Sequence, residues 1–194
     1  QTSPADGLVW LWNALTGEPR IILIDAADNC TLESVLLHPD GERAICGGID
    51  YLATEDRTGA VCVWHIAKKE RELVFDVGVN ALAIDSPGRY LAGAGLDGNV
   101  HVWDLQSQEE VFELAGHRER VNCVAFSPDG SFLLSGGDDM TVRVWDVLSG
   151  RLLVVREFDA AVQSLAFSPD GRWLFTGNAN TTCYQMEFEK VLED

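Results

Sequence analysis

Short runs in which apolar and polar residues alternate recur along the chain, and four of them contain a tryptophan near their end. The runs read L-V-W-L-W-N, A-V-C-V-W-H, N-V-H-V-W-D and T-V-R-V-W-D. They place Trp12, Trp64, Trp103 and Trp145 at separations of 52, 39 and 42 positions. Alternation with a period of two is typical of a half-buried β-strand. Its recurrence at a nearly fixed spacing predicts stacked copies of one small unit.

A second repeated feature is a turn signal built from serine, proline, aspartate and glycine. It reads H-P-D-G at 38–41, S-P-G at 86–88, and S-P-D-G at both 127–130 and 168–171. These residues favour a tight turn, because Pro presets φ, Gly accepts positive φ, and Asp and Ser bond the nearby backbone. Apolar runs flank each turn, so each repeat contains four strands. The pattern predicts an all-β fold, a β-propeller of four-stranded antiparallel blades.

The predicted strands group into blades within a single domain, residues 1–194. The blade segments are about 7–25, 30–75, 79–114, 121–157 and 162–188, which makes four to five repeats. The first segment holds only the two outer strands of a blade, and the last holds only the three inner ones. Two alternatives stay open. Either the chain, which begins at Gln1, is part of a larger or shared ring, including a homodimer, or its first and last segments complete one blade.

The segment 116–146 resembles the WD-repeat (WD40) β-propeller family. It begins with G-H, continues with V-N-C-V-A-F-S-P-D-G and L-S-G-G-D-D, and ends with T-V-R-V-W-D. With the strands of a blade named a to d from the inside outwards, the resemblance implies partner docking where the d–a and b–c loops meet. It also implies a hydrogen-bonded structural tetrad within the blade. Its members would be His117, Ser135, Asp139 and Trp145.

The other repeats depart from the tetrad pattern. The last repeat replaces His, Ser, Asp and Trp, in that order, by Phe158, Thr176, Asn180 and Met186. The repeat that ends at Trp103 has Gly93 at the Ser position. Neither Phe nor Met carries a group that could take the place of His or Trp in such a network. We therefore expect one complete tetrad, in the blade of 121–157.

Acidic residues strongly outnumber basic ones in this chain. It has 31 Asp and Glu against 14 Lys and Arg, a formal net charge of −17. Nucleic-acid binding requires a basic surface, and anionic membranes would repel this charge, so neither partner is expected. The acidic balance indicates a well-solvated surface or a basic protein partner. We expect a cytoplasmic location, since no signal peptide is visible.

No cofactor or metal site is predicted from the sequence. The five cysteines form no C-x-x-C pair, whereas zinc sites need clustered ligands. Cysteines in predicted strands are expected to be buried, namely Cys46, Cys62, Cys123 and Cys183. The G-x-G-x-x-G match at 93–98 precedes a strand, not the helix that a dinucleotide site needs. His101, in an alternating strand, is expected at the surface.

A protein partner is expected to bind where the d–a and b–c loops meet. In the best-matching repeat these loops carry Arg118, Glu119, Arg120, Asp138 and Met140. A loop insertion before Trp64 adds Tyr51, Leu52, Glu55, Asp56 and Arg57. The sequence thus predicts a non-catalytic scaffold for protein–protein interactions. The alternatives are a regulatory or sensor module of a larger protein, and a propeller-type enzyme, which would need convergent His, Asp or Glu at the channel mouth. His117, Ser135 and Asp139 could be mistaken for a Ser-His-Asp triad, but the blade tetrad accounts for them.

Overall fold

The computed structural model describes residues 8–24, 30–50 and 59–193. Within them lie 17 β-strands, arranged in five antiparallel sheets, and one short helix. The predicted all-β class with four-stranded antiparallel blades is confirmed. The chain forms two compact units, Gln1–Val79 and Asn80–Asp194, and each is described by itself. The assignment of residues 1–194 to a single domain stays a prediction.

The first unit contains a two-stranded hairpin and one four-stranded sheet. The hairpin consists of β1 (Leu8–Trp12) and β2 (Pro19–Ile24). The sheet has the order β3-β4-β5-β6, with β3 (Cys30–Leu37), β4 (Arg43–Asp50), β5 (Gly59–His65) and β6 (Glu70–Phe75). Its buried cluster consists of Ala44, Cys46, Ala60, Cys62 and Trp64. Each strand pairs with the next along the chain, as four strands of one blade should.

The second unit contains two four-stranded sheets, a three-stranded sheet and the helix. The first sheet consists of β7 (Val79–Ile84), β8 (Tyr90–Gly95), β9 (Asn99–Asp104) and β10 (Glu109–Ala115). The second consists of β11 (Val121–Phe126), β12 (Phe132–Gly137), β13 (Thr141–Asp146) and β14 (Leu152–Glu157). The third consists of β15 (Val162–Phe167), β16 (Trp173–Asn178) and β17 (Cys183–Glu187), followed by α1 (Phe188–Leu192).

Stacking of sheets buries both faces of the inner strands in the second unit. The first core cluster, which includes Val100, Leu133 and Trp145, joins sheets β7–β10 and β11–β14. The second, which includes Leu134 and Leu174, joins sheets β11–β14 and β15–β17. Strand β13 is therefore buried along nearly its whole length, whereas the outermost strand β14 is largely exposed.

Two features of the third sheet differ from expectation. Cys183 is exposed, so the prediction that it is buried is wrong, whereas Cys46, Cys62 and Cys123 are buried. Cys183 pairs with Gly177 at the edge strand β17, where no further strand covers it within the described residues. Helix α1 was not predicted, and it buries Phe188 against the second core cluster.

Candidate functional site

A buried hydrogen-bonded network lies within sheet β11–β14, beneath one end of the blade. The indole N–H of Trp145 donates to Oγ of Ser135 at 2.9 Å. His117 lies 2.8 Å from the same oxygen through Nε2 and 2.9 Å from Oδ1 of Asp139 through Nδ1. Thr141 also donates its hydroxyl to Asp139, at 2.8 Å. The structure thus brings together the four tetrad residues named from the sequence and adds Thr141.

Neutral His117 satisfies every donor in this network. Ser135 receives the Trp145 N–H and gives its own proton to Nε2, while Nδ1–H donates to the Asp139 carboxylate. Burial lowers the pKa of His117, which outweighs the opposing effect of Asp139. Burial alone would raise the pKa of Asp139, but hydrogen bonds, first from His117, bring it below its usual value. Asp139 is therefore ionised and His117 neutral at pH 7.

The same residues do not offer an accessible nucleophile. Ser135 is 0 % exposed, and its hydroxyl is fixed between Trp145 and His117. A catalytic serine must reach a substrate and an oxyanion hole. What this arrangement can do is hold neighbouring backbone in place.

The network fixes the d–a loop against the b–c turn. The backbone N–H of Arg118 donates to Oδ2 of Asp139 at 3.2 Å, and that of Asp138 donates to the carbonyl of Arg120 at 3.0 Å. Gly137 lies so close that a Cβ there would be 2.7 Å from the Arg120 carbonyl oxygen. The two segments therefore form one ordered surface, which we call the loop face: Arg118, Glu119, Arg120, Asp138 and Met140.

The loop face leaves side chains available to a partner. Met140 is 47 % exposed with φ of 59°, a conformation that turns the chain sharply between β12 and β13. Arg118, Glu119 and Arg120 are exposed as well. The other five residues named for partner binding, Tyr51, Leu52, Glu55, Asp56 and Arg57, lie outside the described residues. Their role stays a prediction.

Comparison with known families matches three consecutive segments of the chain to one repeat. The family described as WD domain, G-beta repeat matches residues 71–104, 108–146 and 152–185, together more than half of the chain. This chain belongs to the WD40 repeat family. The match at 108–146 contains the whole network around His117.

Individual relatives match parts of this WD40 protein. It is 32 % identical over 121 residues to the rice (Oryza sativa subsp. japonica) U3 snoRNP-associated protein-like YAOH, covering 61 % of this chain and 23 % of that protein. It is 34 % identical over 91 residues to the soybean (Glycine max) small ribosomal subunit protein RACK1, covering 46 % of this chain and 25 % of that protein. The chain therefore spans about a quarter of the length of these relatives.

A solved structure supports the fold. A chain in the crystal structure of a mitotic checkpoint complex superimposes with a TM-score of 0.81, covering 96 % of this chain and 56 % of that chain. At 22 % sequence identity this likeness concerns the fold alone. The β-propeller class of this WD40 protein is confirmed.

The WD40 repeat of sheet β7–β10 uses a different network. His101 is 5 % exposed, so its predicted place at the surface is wrong. Its Nδ1 lies 2.6 Å from the Glu110 carboxylate and its Nε2 lies 3.2 Å from that of Asp97. Gly93 pairs with His101 as Ser135 pairs with Arg143 in the next repeat. These two carboxylates and the Trp103 ring, which is stacked on the imidazole with centroids 5.8 Å apart, surround His101.

The last WD40 repeat retains the turn but loses the network. Thr176 is 1 % exposed, and its Oγ1 has no hydrogen-bond partner among the described residues. Phe158 instead packs against Tyr184, with ring centroids 5.5 Å apart. Asn180 still accepts hydrogen bonds from the backbone and hydroxyl of Thr182, at 3.2 and 2.6 Å. The b–c turn thus keeps its local bonds and one backbone bond to the d–a loop, from Ala179 N–H to the Ala161 carbonyl at 2.9 Å.

One member of the network was missed from the sequence. Thr141 follows Asp139 by two positions, as Thr182 follows Asn180. In both turns the acidic or amide oxygen accepts from the backbone and hydroxyl of the residue two positions on. This Asx-type bonding is a known property of Asp and Asn, so the D-x-T and N-x-T spacing was a usable signal.

Three further properties of the described residues concern metal ligands, a reactive thiol and a membrane-spanning helix. No group of three or more His, Cys, Asp or Glu within them is placed to hold a metal ion. Burial raises the pKa of the Cys123 thiol to about 12, which leaves it unreactive. None of the described helical segments has the length and apolar character for crossing a bilayer.

Proposed function

We propose that this protein is a non-catalytic scaffold that binds protein partners through its loop face. The observation that carries the proposal is the buried network, which fixes the d–a loop and b–c turn beneath exposed Met140 and Arg118. An ordered surface loses little conformational entropy on association. WD40 propellers generally serve as protein-interaction scaffolds, and buried Ser135 supports a non-catalytic role.

The partner we propose is a protein with a basic surface. A net charge of −17 attracts such a partner over long range and repels nucleic acids. At short range the loop face has mixed charge, because Arg118 and Arg120 stand beside Glu119 and Asp138. We therefore expect association to become faster at low salt, with contact specificity set by the mixed charges and by Met140.

Charge reversal at the loop face tests the proposal. The side chains of Glu119 and Met140 make no hydrogen bond or ion pair within the described residues, so Glu119→Lys with Met140→Ala leaves the fold intact while it replaces an acidic contact by a basic one and removes an apolar contact. The matched control is Leu148→Ser, an 84 % exposed residue in the c–d turn at the other end of the blade. Affinity capture followed by quantitative mass spectrometry should lose partners with the double variant and retain them with the control.

The predicted insertion residues enter the same experiment. Tyr51→Ala with Leu52→Ala should weaken recovery of the same partners if the insertion belongs to the docking surface, because exposed aromatic and aliphatic anchors contribute strongly at interfaces. Partner recovery that survives every one of these changes at equal thermal stability would show that the loop face is not the docking surface.

A second copy of this chain is a further partner included in the proposal. Strand β17 pairs only with β16 among the described residues, and β1 pairs only with β2. Open strand edges invite pairing with another chain. Light scattering at micromolar concentration should show a dimer, and a stable monomer would remove this part of the proposal. We also propose a cytoplasmic location, which fluorescence microscopy of the tagged protein tests.

A further inference from the structure

A cleft of about 440 Å³ lies at the end of the blades opposite the loop face, within the second unit. Two S-P-D-G turns form two of its sides: 127–130, between β11 and β12, and 168–171, between β15 and β16. Helix α1 forms a third side. We call it the turn cleft. It is independent of the loop face, since a–b turns and d–a loops lie at opposite ends of the strands.

The turns orient two carboxylates at the cleft. Asp129 Oδ1 accepts hydrogen bonds from the Ser127 hydroxyl and from the backbone N–H of Ser131, the latter at 3.1 Å. Asp170 repeats this arrangement in the second turn, with Ser168 as the hydroxyl donor. The Ser131 hydroxyl contributes a further, weaker hydrogen bond to Asp129. Both carboxylates are held in place by their turns.

The same bonds keep these carboxylates charged. The Ser127 hydroxyl, followed by the Ser131 N–H, lowers the pKa of Asp129. The Ser168 hydroxyl, followed by a backbone N–H, lowers the pKa of Asp170. Because each donor stabilises the ionised form, both groups remain negative at neutral pH.

Apolar side chains form the wall between the turns. The rings of Phe132 and Phe188 meet edge to face with centroids 5.4 Å apart, and Leu192 extends this wall. The backbone N–H of Phe188 donates to the carbonyl of Arg172 at 2.8 Å, which fastens α1 to the second turn. Pro128 lines the cleft on the side of the first turn. The cleft thus has an apolar surface that is set by packing.

The charges at the cleft are unbalanced. Four carboxylates line it, from Asp129, Asp170, Glu187 and Glu189. One guanidinium, that of Arg172, opposes them, and it makes no hydrogen bond within the described residues. Lys190 is bound to Glu187 at 2.6 Å, but Glu189 has no ion pair within the described residues. A cation is therefore the complementary ligand.

We propose that the turn cleft binds an extended segment of a partner protein in which a lysine or arginine lies beside an apolar residue. The aliphatic stem of the basic residue and its apolar neighbour would cover Phe132 and Leu192. The cationic head would reach the carboxylates of Asp129 and Asp170. Long basic side chains combine an apolar stem with a charged tip, which matches an apolar wall with an acidic rim.

The probe for this site is the peptide acetyl-Gly-Leu-Arg-Leu-Gly-amide. Titrated into ¹⁵N-labelled protein, it should shift the amide signals of residues 129–132, 170–173 and 188–192. The signals of residues 118–120 and 138–140 at the loop face should not move. A peptide with glutamate in place of arginine should not bind. Because the two faces give separate signals, failure here leaves the loop-face proposal untouched, and the reverse holds as well.

Three variants decide whether the carboxylates of the cleft bind the probe. Asp129→Asn with Asp170→Asn retains the Oδ1 acceptor of each turn and removes two charges, so affinity should fall about fivefold at low salt. The matched control, Glu109→Gln with Glu119→Gln, removes two exposed charges elsewhere and should leave affinity unchanged. Arg172→Gln removes the opposing cation and should tighten binding about twofold.

Several results would overturn the proposal. Equal weakening by both double variants, or shifts spread over the acidic surface, would show nonspecific attraction. Equal binding of the glutamate peptide would show that charge plays no part. If spermine and a peptide with alanines in place of the leucines bind as tightly as the probe, the cleft recognises any polycation and not a peptide segment.

Discussion

Sheets β11–β14 and β15–β17 share one backbone plan and differ in what their buried polar positions can bond. Trp145 pairs with Leu133 as Met186 pairs with Leu174, so the two sheets have the same register. In the first, the buried Ser135 hydroxyl accepts from Trp145 and bonds His117. In the second, the Thr176 hydroxyl is buried without a partner among the described residues. Strand register and turn chemistry are therefore enough to form such a sheet. The hydrogen-bonded network around His117 is not needed for the sheet to form.

The network around His117 also affects the d–a loop that precedes β11. The backbone bond from Asp138 to Arg120 has a counterpart in the last repeat, from Ala179 to Ala161, at 3.0 and 2.9 Å. The side-chain bond from Asp139 to the backbone of Arg118 has no counterpart among the described residues. In the last repeat, a bond from the Tyr184 hydroxyl to the Asp159 carboxylate at 3.2 Å holds the d–a loop instead.

The largest expected difference in stability is between substitutions of Trp145 and Met186, which occupy matching positions near the ends of β13 and β17. Trp145→Ala should lower the free energy of unfolding by about 3–5 kcal/mol, because it removes a large buried ring and a hydrogen-bond donor. Met186→Ala should cost clearly less, since Met186 is only partly buried and donates nothing. Urea unfolding followed by circular dichroism measures both. Equal losses would show that the network adds nothing to packing.

A smaller loss is expected at the acidic position of the turn. Asp139→Ala leaves the buried N–H of His117 and the hydroxyl of Thr141 without their acceptor, at a cost of about 1–3 kcal/mol. Asn180→Ala, the matched change in the exposed turn of the last sheet, should stay within about 0.5 kcal/mol. Thermal and urea unfolding of the two variants provide the comparison. Similar losses at both positions would contradict the assigned difference.

The hydroxyl position should respond with opposite signs in the two sheets. Thr176→Val removes an unpaired buried hydroxyl and keeps the shape of the side chain, so stability should rise by about 1 kcal/mol. Ser135→Ala removes a hydroxyl that bonds two partners and should lower stability by about 1–3 kcal/mol. The sign of the shift in the urea midpoint decides the matter. A loss at Thr176 would mean that its hydroxyl has a bonding partner after all.

Sequence patterns predicted the backbone well because strands and turns depend on local chemistry. Alternation and the repeated S-P-D-G turns predicted four-stranded blades, and the resemblance to the WD-repeat family implied which residues meet His117. Burial depends on what covers each residue, which is why His101 and Cys183 were placed wrongly. His101 is covered by Asp97 and Glu110, and the spacing of these residues in the sequence does not predict that contact. Helix α1 depends on packing of Phe188 against distant strands.

The smallest expected effect is a difference in pH dependence, and it tests the protonation state of the network. Burial lowers the pKa of His117 from its usual 6.5. Just below pH 6.5, His117 is therefore protonated in the unfolded chain and still neutral in the folded chain. Its contribution to stability is complete above pH 6.5 and is lost as the pH falls towards the lowered folded pKa. Asp139, whose pKa is also lowered, begins to lose its contribution only below its usual 3.8.

Urea unfolding at pH 7.5 and at pH 5 measures how much the protonation of His117 changes the free energy of unfolding. The natural protein should lose stability on acidification by more than the variant His117→Gln, which carries no titrating group at this position. His38, His65 and His101 are present in both proteins, so their effects cancel in the comparison. An identical dependence on pH in the two proteins would mean that His117 binds a proton as readily in the folded chain as in the unfolded one. The donor chain from Trp145 through Ser135 to His117 would then be broken at pH 5, because a doubly protonated ring has no nitrogen left to accept the Ser135 proton.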